Sequence, residues 1–507
     1  MSQHAAVPTS TPGPARSAGS RLPRSTPAEQ GVSATGVSGF LDAVGGAGIE
    51  LHSLMLLRHG QVVAEGWWQP YRPDQPHLLY SLSKSFTSTA IGLAVHEGRL
   101  SVDDLLTSFF PESVPDGLSA GSAAIRVRDL LTMASGHHED TLERLDRGAL
   151  VRSFLSMPPE EEPGTWFTYH NSATLMLSAI LTRVTGKRLL DYLRPRLLEP
   201  LGIDQANWQR VGRVGDDDVL PGVDRGFSGL HLATESVAKL GQLYLQQGVW
   251  GSQQLVPREW VAAATRAQVG NPRESNPDWR QGYGYQFWMA REGYRGDGAF
   301  GQFCIVLPEQ DTVLALTAAT EDMQGLMDCV WSELLPALRQ PTPDDDVSGP
   351  ELAARLSSLA LPATPGERQP ARTALPWSAA PPPSSAAPTS MPPAAVDAPA
   401  AHVLGIEEQV AGWRIAVEEQ GVRFAVDVGY GEWTRTEVEV RPGFRLRVAA
   451  SGAWTAETFT AALTLVETPH RLILACDCTS GVTSARWNVV PLGVTAGTQL
   501  ALELSRS

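Results

Sequence analysis

The sequence predicts an α+β protein: one antiparallel sheet flanked by helices, followed by a small C-terminal all-β domain. Three observations predict it. Two β-rich runs near the N-terminus meet at a tight turn, a long and mostly helical stretch follows, and three more strand-like runs with a helix come after it. Strands that bracket a helical insertion close one sheet from both ends of the segment, with helices packed on it. Beyond a Pro/Ala/Ser-rich stretch, apolar/polar alternation returns alone, which is a β pattern.

Residues 1–30 are rich in Pro, Ser, Thr and Ala, with scattered Arg and no apolar core, so they read as a disordered tail and not a secretory signal. A short helix is expected over 37–44. The runs 51–58 and 61–68 form a hairpin around His59-Gly60. Leu78, Leu79 and Tyr80 lead into Ser81, after which Phe86, Ala90, Ile91, Leu93 and Ala94 recur at helical spacing until Gly98 caps the run. Capping and stop signals at Ser101, Gly136, Gly186, Gly202 and Gly248 divide residues 100–280 into helices and loops. Strand-like runs at 283–290, 300–307 and 312–317 precede an amphipathic helix over 322–338, completing a domain of residues 31–340. Residues 341–400, with Pro381-Pro382-Pro383 and Pro392-Pro393, cannot build a core and read as an extended linker. Residues 401–507 alternate through runs such as Trp413-Arg414-Ile415-Ala416-Val417 and are expected to form a small sandwich or barrel.

Composition narrows the function. A formal net charge of −15 without a basic run argues against nucleic acid or anionic membrane as partners. No apolar run approaches the ~18 residues needed to span a bilayer. The four cysteines (Cys304, Cys329, Cys476 and Cys478) are too few and too unevenly spaced for a disulfide framework or a zinc site. A reducing cytoplasm fits these limits.

The chain has 37 arginines but only three lysines. Arg cannot give up its proton in a protein, whereas a desolvated Lys can become a neutral base. Lys84 stands three residues after Ser81, one helical turn on, where a helix N-terminus and burial both push its pKa down from ~10.4. Lys239 has Ser236 at the same spacing, but Thr234-Glu235-Ser236-Val237-Ala238-Lys239-Leu240 reads as an amphipathic surface helix.

Further strings join the Ser81 motif: Arg128 to His137, Glu162-Pro163-Gly164-Thr165-Trp166-Phe167-Thr168-Tyr169-His170-Asn171-Ser172, and Gly296-Asp297-Gly298-Ala299-Phe300-Gly301-Gln302. At these residues, over roughly 50–340, the chain resembles the serine β-lactamase-like superfamily. The matching branch holds class C β-lactamases, D-alanyl-D-alanine carboxypeptidases, related esterases and 6-aminohexanoate-oligomer hydrolases. The resemblance implies a cytoplasmic hydrolase of a small-molecule ester or amide, without metal or organic cofactor, with Ser81 as nucleophile, Lys84 and Tyr169 as the proton-transfer pair, and Asn171 orienting Lys84 or the substrate. It also implies an oxyanion hole from the backbone N–H groups of Ser81 and Ala299, with Gly298 letting the acyl chain lie against the third strand. His170 is expected to be a loop residue.

The third box departs from the family's Lys-Thr-Gly, because Gly296 stands where the Lys would be. Strand alternation puts Arg295 and Asp297 on the opposite face, so no cation faces the site unless Arg295 reaches around. A neutral or cationic ester or amide is therefore expected over a β-lactam or peptidoglycan stem, with Glu160, Glu161 and Glu162 able to favour an amine. Two other readings use the same boxes: a penicillin-recognising sensor module with little turnover, and a true β-lactamase or DD-peptidase.

Overall fold

The computed structural model describes residues 21–146, 148–211, 222–339, 348–369, 401–494 and 496–503. Helix α1 (Ala34–Gly46) leads into strands β1 (Glu50–Arg58) and β2 (Gln61–Trp67). His59 and Gly60 join them at φ 49° and 71°, the pair of positive values that a two-residue hairpin matched to strand twist requires. The insertion contributes α2 (Ser83–His96), α3 (Asn171–Thr185) and α4 (Thr234–Leu245). Strands β3 (Trp288–Met289), β4 (Tyr294–Gly298), β5 (Gln302–Leu307) and β6 (Thr312–Ala319) complete an antiparallel sheet of order β2-β1-β6-β5-β4-β3. The segment's first and last strands therefore lie side by side. Of the expected run 283–290, only Trp288–Met289 is strand, and the third box lies on its partner β4.

Alternation along the central strands feeds two cores. Leu54 and Leu56 of β1, with Leu314 and Leu316 of β6, pack with α1 and the helical residues after β6; Met55, Leu57, Val313 and Ala315 face the core of the helical insertion. Both faces of the sheet are covered, so these strands read as nearly continuous apolar runs.

Three expectations need correction. Residues 21–30 are docked rather than loose: Leu22 is buried, and Pro23 and Ser25 exchange backbone hydrogen bonds with Val62 of the edge strand β2. Such a tie covers an exposed sheet edge with one leucine and two hydrogen bonds, too little to show in composition. Within 341–400, helix α5 (Ser348–Ser357) buries Leu352 and Leu356 against α1 and β2, and Leu361 and Glu367 bond to Gln69 and Trp454. The proline clusters at 381–383 and 392–393, like residues 1–20, lie outside the described residues. Helix α4 is not a surface helix: it packs on the sheet, Lys239 is buried, and its ammonium donates to the Gly202 carbonyl.

The C-terminal domain is a separate all-β half-barrel. Strands β7 (Ala401–Gln409), β8 (Gly412–Glu419), β9 (Val422–Gly429), β10 (Thr434–Arg441), β11 (Phe444–Thr455), β12 (Thr458–Leu465), β13 (Arg471–Asp477), β14 (Val482–Trp487) and β15 (Leu502–Glu503) share one sheet around Trp413, Trp454 and Phe459. Its core runs on into Leu78, Tyr80 and Phe300 of the first domain. Arg471 reaches across to Glu50 at 2.6 Å; against burial, which raises it, His52 and then Arg471 hold that carboxyl down at about 2. No described helix is long and apolar enough to cross a membrane.

Candidate active site

Ser81 sits in a 3-10 turn, Tyr80–Leu82, that runs directly into α2. Tyr80 enters this turn at φ 48°, a left-handed backbone that a non-glycine residue holds only when its surroundings fix it. The Ser83 hydroxyl does part of this, donating to the Tyr80 carbonyl at 2.6 Å. Helix α2 is buried along most of its length, so Lys84, one turn past Ser81, is 1% exposed.

The partners of Lys84 determine what it can do. Its Nζ lies 3.0 Å from Ser81 Oγ, 2.7 Å from Asn171 Oδ1 and 2.9 Å from the Phe227 carbonyl. An amide oxygen and a carbonyl can only accept. A neutral Lys84 therefore spends its two N–H bonds on them and turns its lone pair to the only partner with a proton to give, the Ser81 hydroxyl. Burial pulls the ammonium pKa down to about 7, with Asp140 and Asp297 holding it back from falling further.

Asn171 is oriented in turn. Its Nδ2 donates to Asp140 Oδ2 at 2.7 Å, and a carboxylate only accepts, so Oδ1 must face Lys84. Asp140 also accepts from the Ser172 amide at 3.3 Å, capping the N-terminus of α3 from another segment. Tyr169 stacks on Trp288 at 5.6 Å with an interplanar angle of 9°, and Lys84 Nζ stands 4.7 Å above its ring. Burial raises the Tyr169 phenol far above its usual range, Asp297 adds to this, and contact with the Ser81 hydroxyl only partly opposes it.

The third box packs on the nucleophile turn through its glycines. A Cβ on Gly298 would come within 2.1 Å of the Leu79 carbonyl, and one on Gly296 within 2.4 Å of Leu82. These glycines let β4 lie directly against the nucleophile turn. Ala299 is half-buried just beyond β4, and its carbonyl accepts from Gln302. Arg295 does not reach around. It is fully buried, bonds Asp297 at 3.2 Å, donates to the Asp278 and Met289 carbonyls, and stacks over Trp279.

Ser81 and Asn171 open onto a cavity of about 430 Å³ lined also by Tyr80, Asp140, Leu142, Leu175, Arg225 and Phe227. Asp140, Arg225 and the Phe227 carbonyl were not singled out in the sequence. Asp140 lies three residues past the string ending at His137, and the unmet need of Asn171 for an acceptor was the available signal. Glu160 and Glu161 do not line this cavity; they bond His138 at 3.0 and 3.1 Å. His170 is buried between Ser135 and Thr141, and burial lowers its pKa to about 4.

Fold and site together define a β-lactamase-fold serine hydrolase class, one that includes esterases, amidases and DD-peptidases. The chain belongs to the Beta-lactamase family, whose model matches residues 41–328. It is 26% identical over 299 residues to the 6-aminohexanoate-dimer hydrolase of Paenarthrobacter ureafaciens, covering 53% of this chain and 73% of that protein. It is 24% identical over 271 residues to penicillin-binding protein 4 of Amycolatopsis lactamdurans, covering 46% of this chain and 70% of that protein. Among solved structures, a candidate beta-lactamase of Bacteroides dorei DSM 17855 shares the fold, with a TM-score of 0.50 and 17% identity over 60% of this chain and 99% of that one.

Proposed function

We propose that this chain hydrolyses an ester or amide through an acyl-Ser81 intermediate, with Lys84 as the proton-transfer base. One observation carries the reading: two of the three Lys84 partners can only accept, which leaves its lone pair for the Ser81 hydroxyl. Lys84 takes the Ser81 proton as Oγ bonds to the substrate carbonyl carbon, and the carbonyl oxygen becomes an oxyanion. The backbone N–H groups of Ser81 and Ala299 are assigned to that oxyanion by the family pattern. Lys84 then gives its proton to the leaving oxygen or nitrogen as the C–O or C–N bond breaks. Water, deprotonated by the same amine, releases the acid and restores Ser81.

Tyr169 is the less available base, because burial disfavours forming its phenolate. Its assigned part is to wall the amine with Trp288 and to contact the Ser81 hydroxyl. The names of two relatives, a 6-aminohexanoate-dimer hydrolase and a lovastatin esterase, support a hydrolase of the ester or amide class. A fluorophosphonate probe tests the reading: it labels the wild type and fails on Ser81→Ala, and labelling that survives in Ser81→Ala rejects it.

One observation favours a second reading. Arg225 supplies a cation on the cavity wall although the third-box Lys is absent, so an anionic acyl compound has a partner there. Nitrocefin turnover at a rate matching neutral esters would select this β-lactamase-like reading.

A further inference from the structure

The cavity over Ser81 is not enclosed by the first domain alone. Leu492 and Gly493, from the stretch after β14 in the C-terminal domain, lie on its wall. Leu492 is 54% exposed.

The placement of this stretch is tied to the nucleophile turn through a closed set of hydrogen bonds. His470 Nδ1 lies 2.9 Å from the Val489 carbonyl, which can only accept, so Nδ1 carries the proton. His470 Nε2 is then the acceptor for the Tyr80 hydroxyl, which in turn accepts from the Leu492 amide at 3.4 Å. Each donor and acceptor in the set is matched with His470 neutral. The Tyr80 and Phe300 rings meet edge to face at 5.4 Å, and both pack against His470. Tyr80 is the residue immediately before Ser81 and Phe300 immediately follows Ala299, so the accessory domain grips both flanks of the proposed site.

Resting on the hydrolase reading, we propose that the C-terminal β domain supplies one wall of the substrate pocket, and that Leu492 selects substrates by the size of their apolar arm. The same cavity is lined by Leu142, Leu175 and Phe227, which suit an apolar arm, and by the charged Asp140 and Arg225, which suit a polar group. The substrate class is therefore an ester or amide carrying an apolar chain together with a polar or charged group, not a compact polar one.

The test measures Ser81 labelling rates in the full-length protein with ethyl and octyl fluorophosphonates, in wild type, Leu492→Ala, Leu492→Trp and Val490→Ala. Removing most of an apolar side chain from the wall lowers the octyl-to-ethyl rate ratio about tenfold, and a Trp that fills the same space lowers it at least as far. Val490, 41% exposed and off the cavity, is the control whose ratio stays within about twofold of wild type. Because Leu492 is more than half exposed, neither substitution is expected to unfold the domain. Wild type labelled but with ratios unchanged in both Leu492 variants overturns the pocket-wall proposal and leaves the hydrolase reading standing. An equal shift in Val490→Ala also overturns it. Wild type that is not labelled at Ser81 removes the hydrolase reading, and this proposal with it.

Discussion

Neutralising Asp140 tests the electrostatics of the site most directly. Lys84 falls from 10.5 to about 7, which corresponds to about 5 kcal/mol against its charged form in the folded protein. Burial causes the fall, and Asp140 and Asp297 oppose it. If neutral Lys84 is the base, the rate of Ser81 acylation in the free enzyme is half-maximal near pH 7 and drops about tenfold for each pH unit below it. Asp140→Asn keeps an oxygen that can accept from Asn171 Nδ2 but removes the charge that favours the ammonium. Its acid limb must therefore move to lower pH, with more of the enzyme active at pH 6 than in wild type. Measuring fluorophosphonate labelling rates from pH 5 to 9 gives both midpoints without knowledge of the natural substrate. A midpoint that stays in place or moves upward in Asp140→Asn refutes the argument, as does a wild-type profile that is flat from pH 5 to 9. Linkage gives an independent check with a definite sign. The unfolded chain binds more protons at Lys84 than the folded one between about 7 and 10.5, so this group makes stability rise with pH across that window.

Other outcomes follow from the same geometry. Lys84→Arg keeps a cation but not a base and is expected to be as inactive as Lys84→Ala in steady-state ester turnover; substantial activity in it removes proton transfer from Lys84. Gly298→Ala forces a methyl against the Leu79 backbone carbonyl, at 2.1 Å, and is expected to cost about 1–3 kcal/mol, read as a lowered Tm. Arg471→Ala removes the partner of Glu50 across the domain interface and is expected to cost about 2 kcal/mol in denaturant unfolding. Glu50 itself, held at about 2 from an ordinary 4.5, adds stability that is present above pH ~4.5 and lost as pH falls through about 2. Replacing it by Gln should flatten that acid limb of the stability curve.

Much of the architecture was legible in the residues. Period-2 alternation, the His59-Gly60 turn and the helical run from Phe86 are local signals, and local signals determine local elements. Ser81 and Lys84 could be paired because one helical turn sets their distance, whatever the rest of the chain does. Asn171 and Tyr169 needed the resemblance, since 87 residues separate Asn171 from Lys84. Asp140, the Phe227 carbonyl and Arg225 were missed for the same reason: nothing local distinguishes an acid in a loop from one that fixes an amide's orientation. Gly298 was expected to make room for an acyl chain; that both glycines of β4 also serve the contact between strand and turn is visible only in three dimensions.

By itself, then, the sequence determined the strand and helix periods, the presence of a second β domain, and a serine and a lysine one turn apart. Tertiary structure decided that the lysine is buried among acceptors, that Asp140 rather than Glu160 or Glu161 borders the cavity, and that Leu492 reaches the same cavity as Ser81. The physical reason is that a lysine's proton affinity and a pocket's shape depend on which atoms exclude water around them. Those atoms come from segments hundreds of residues apart, which only folding brings together.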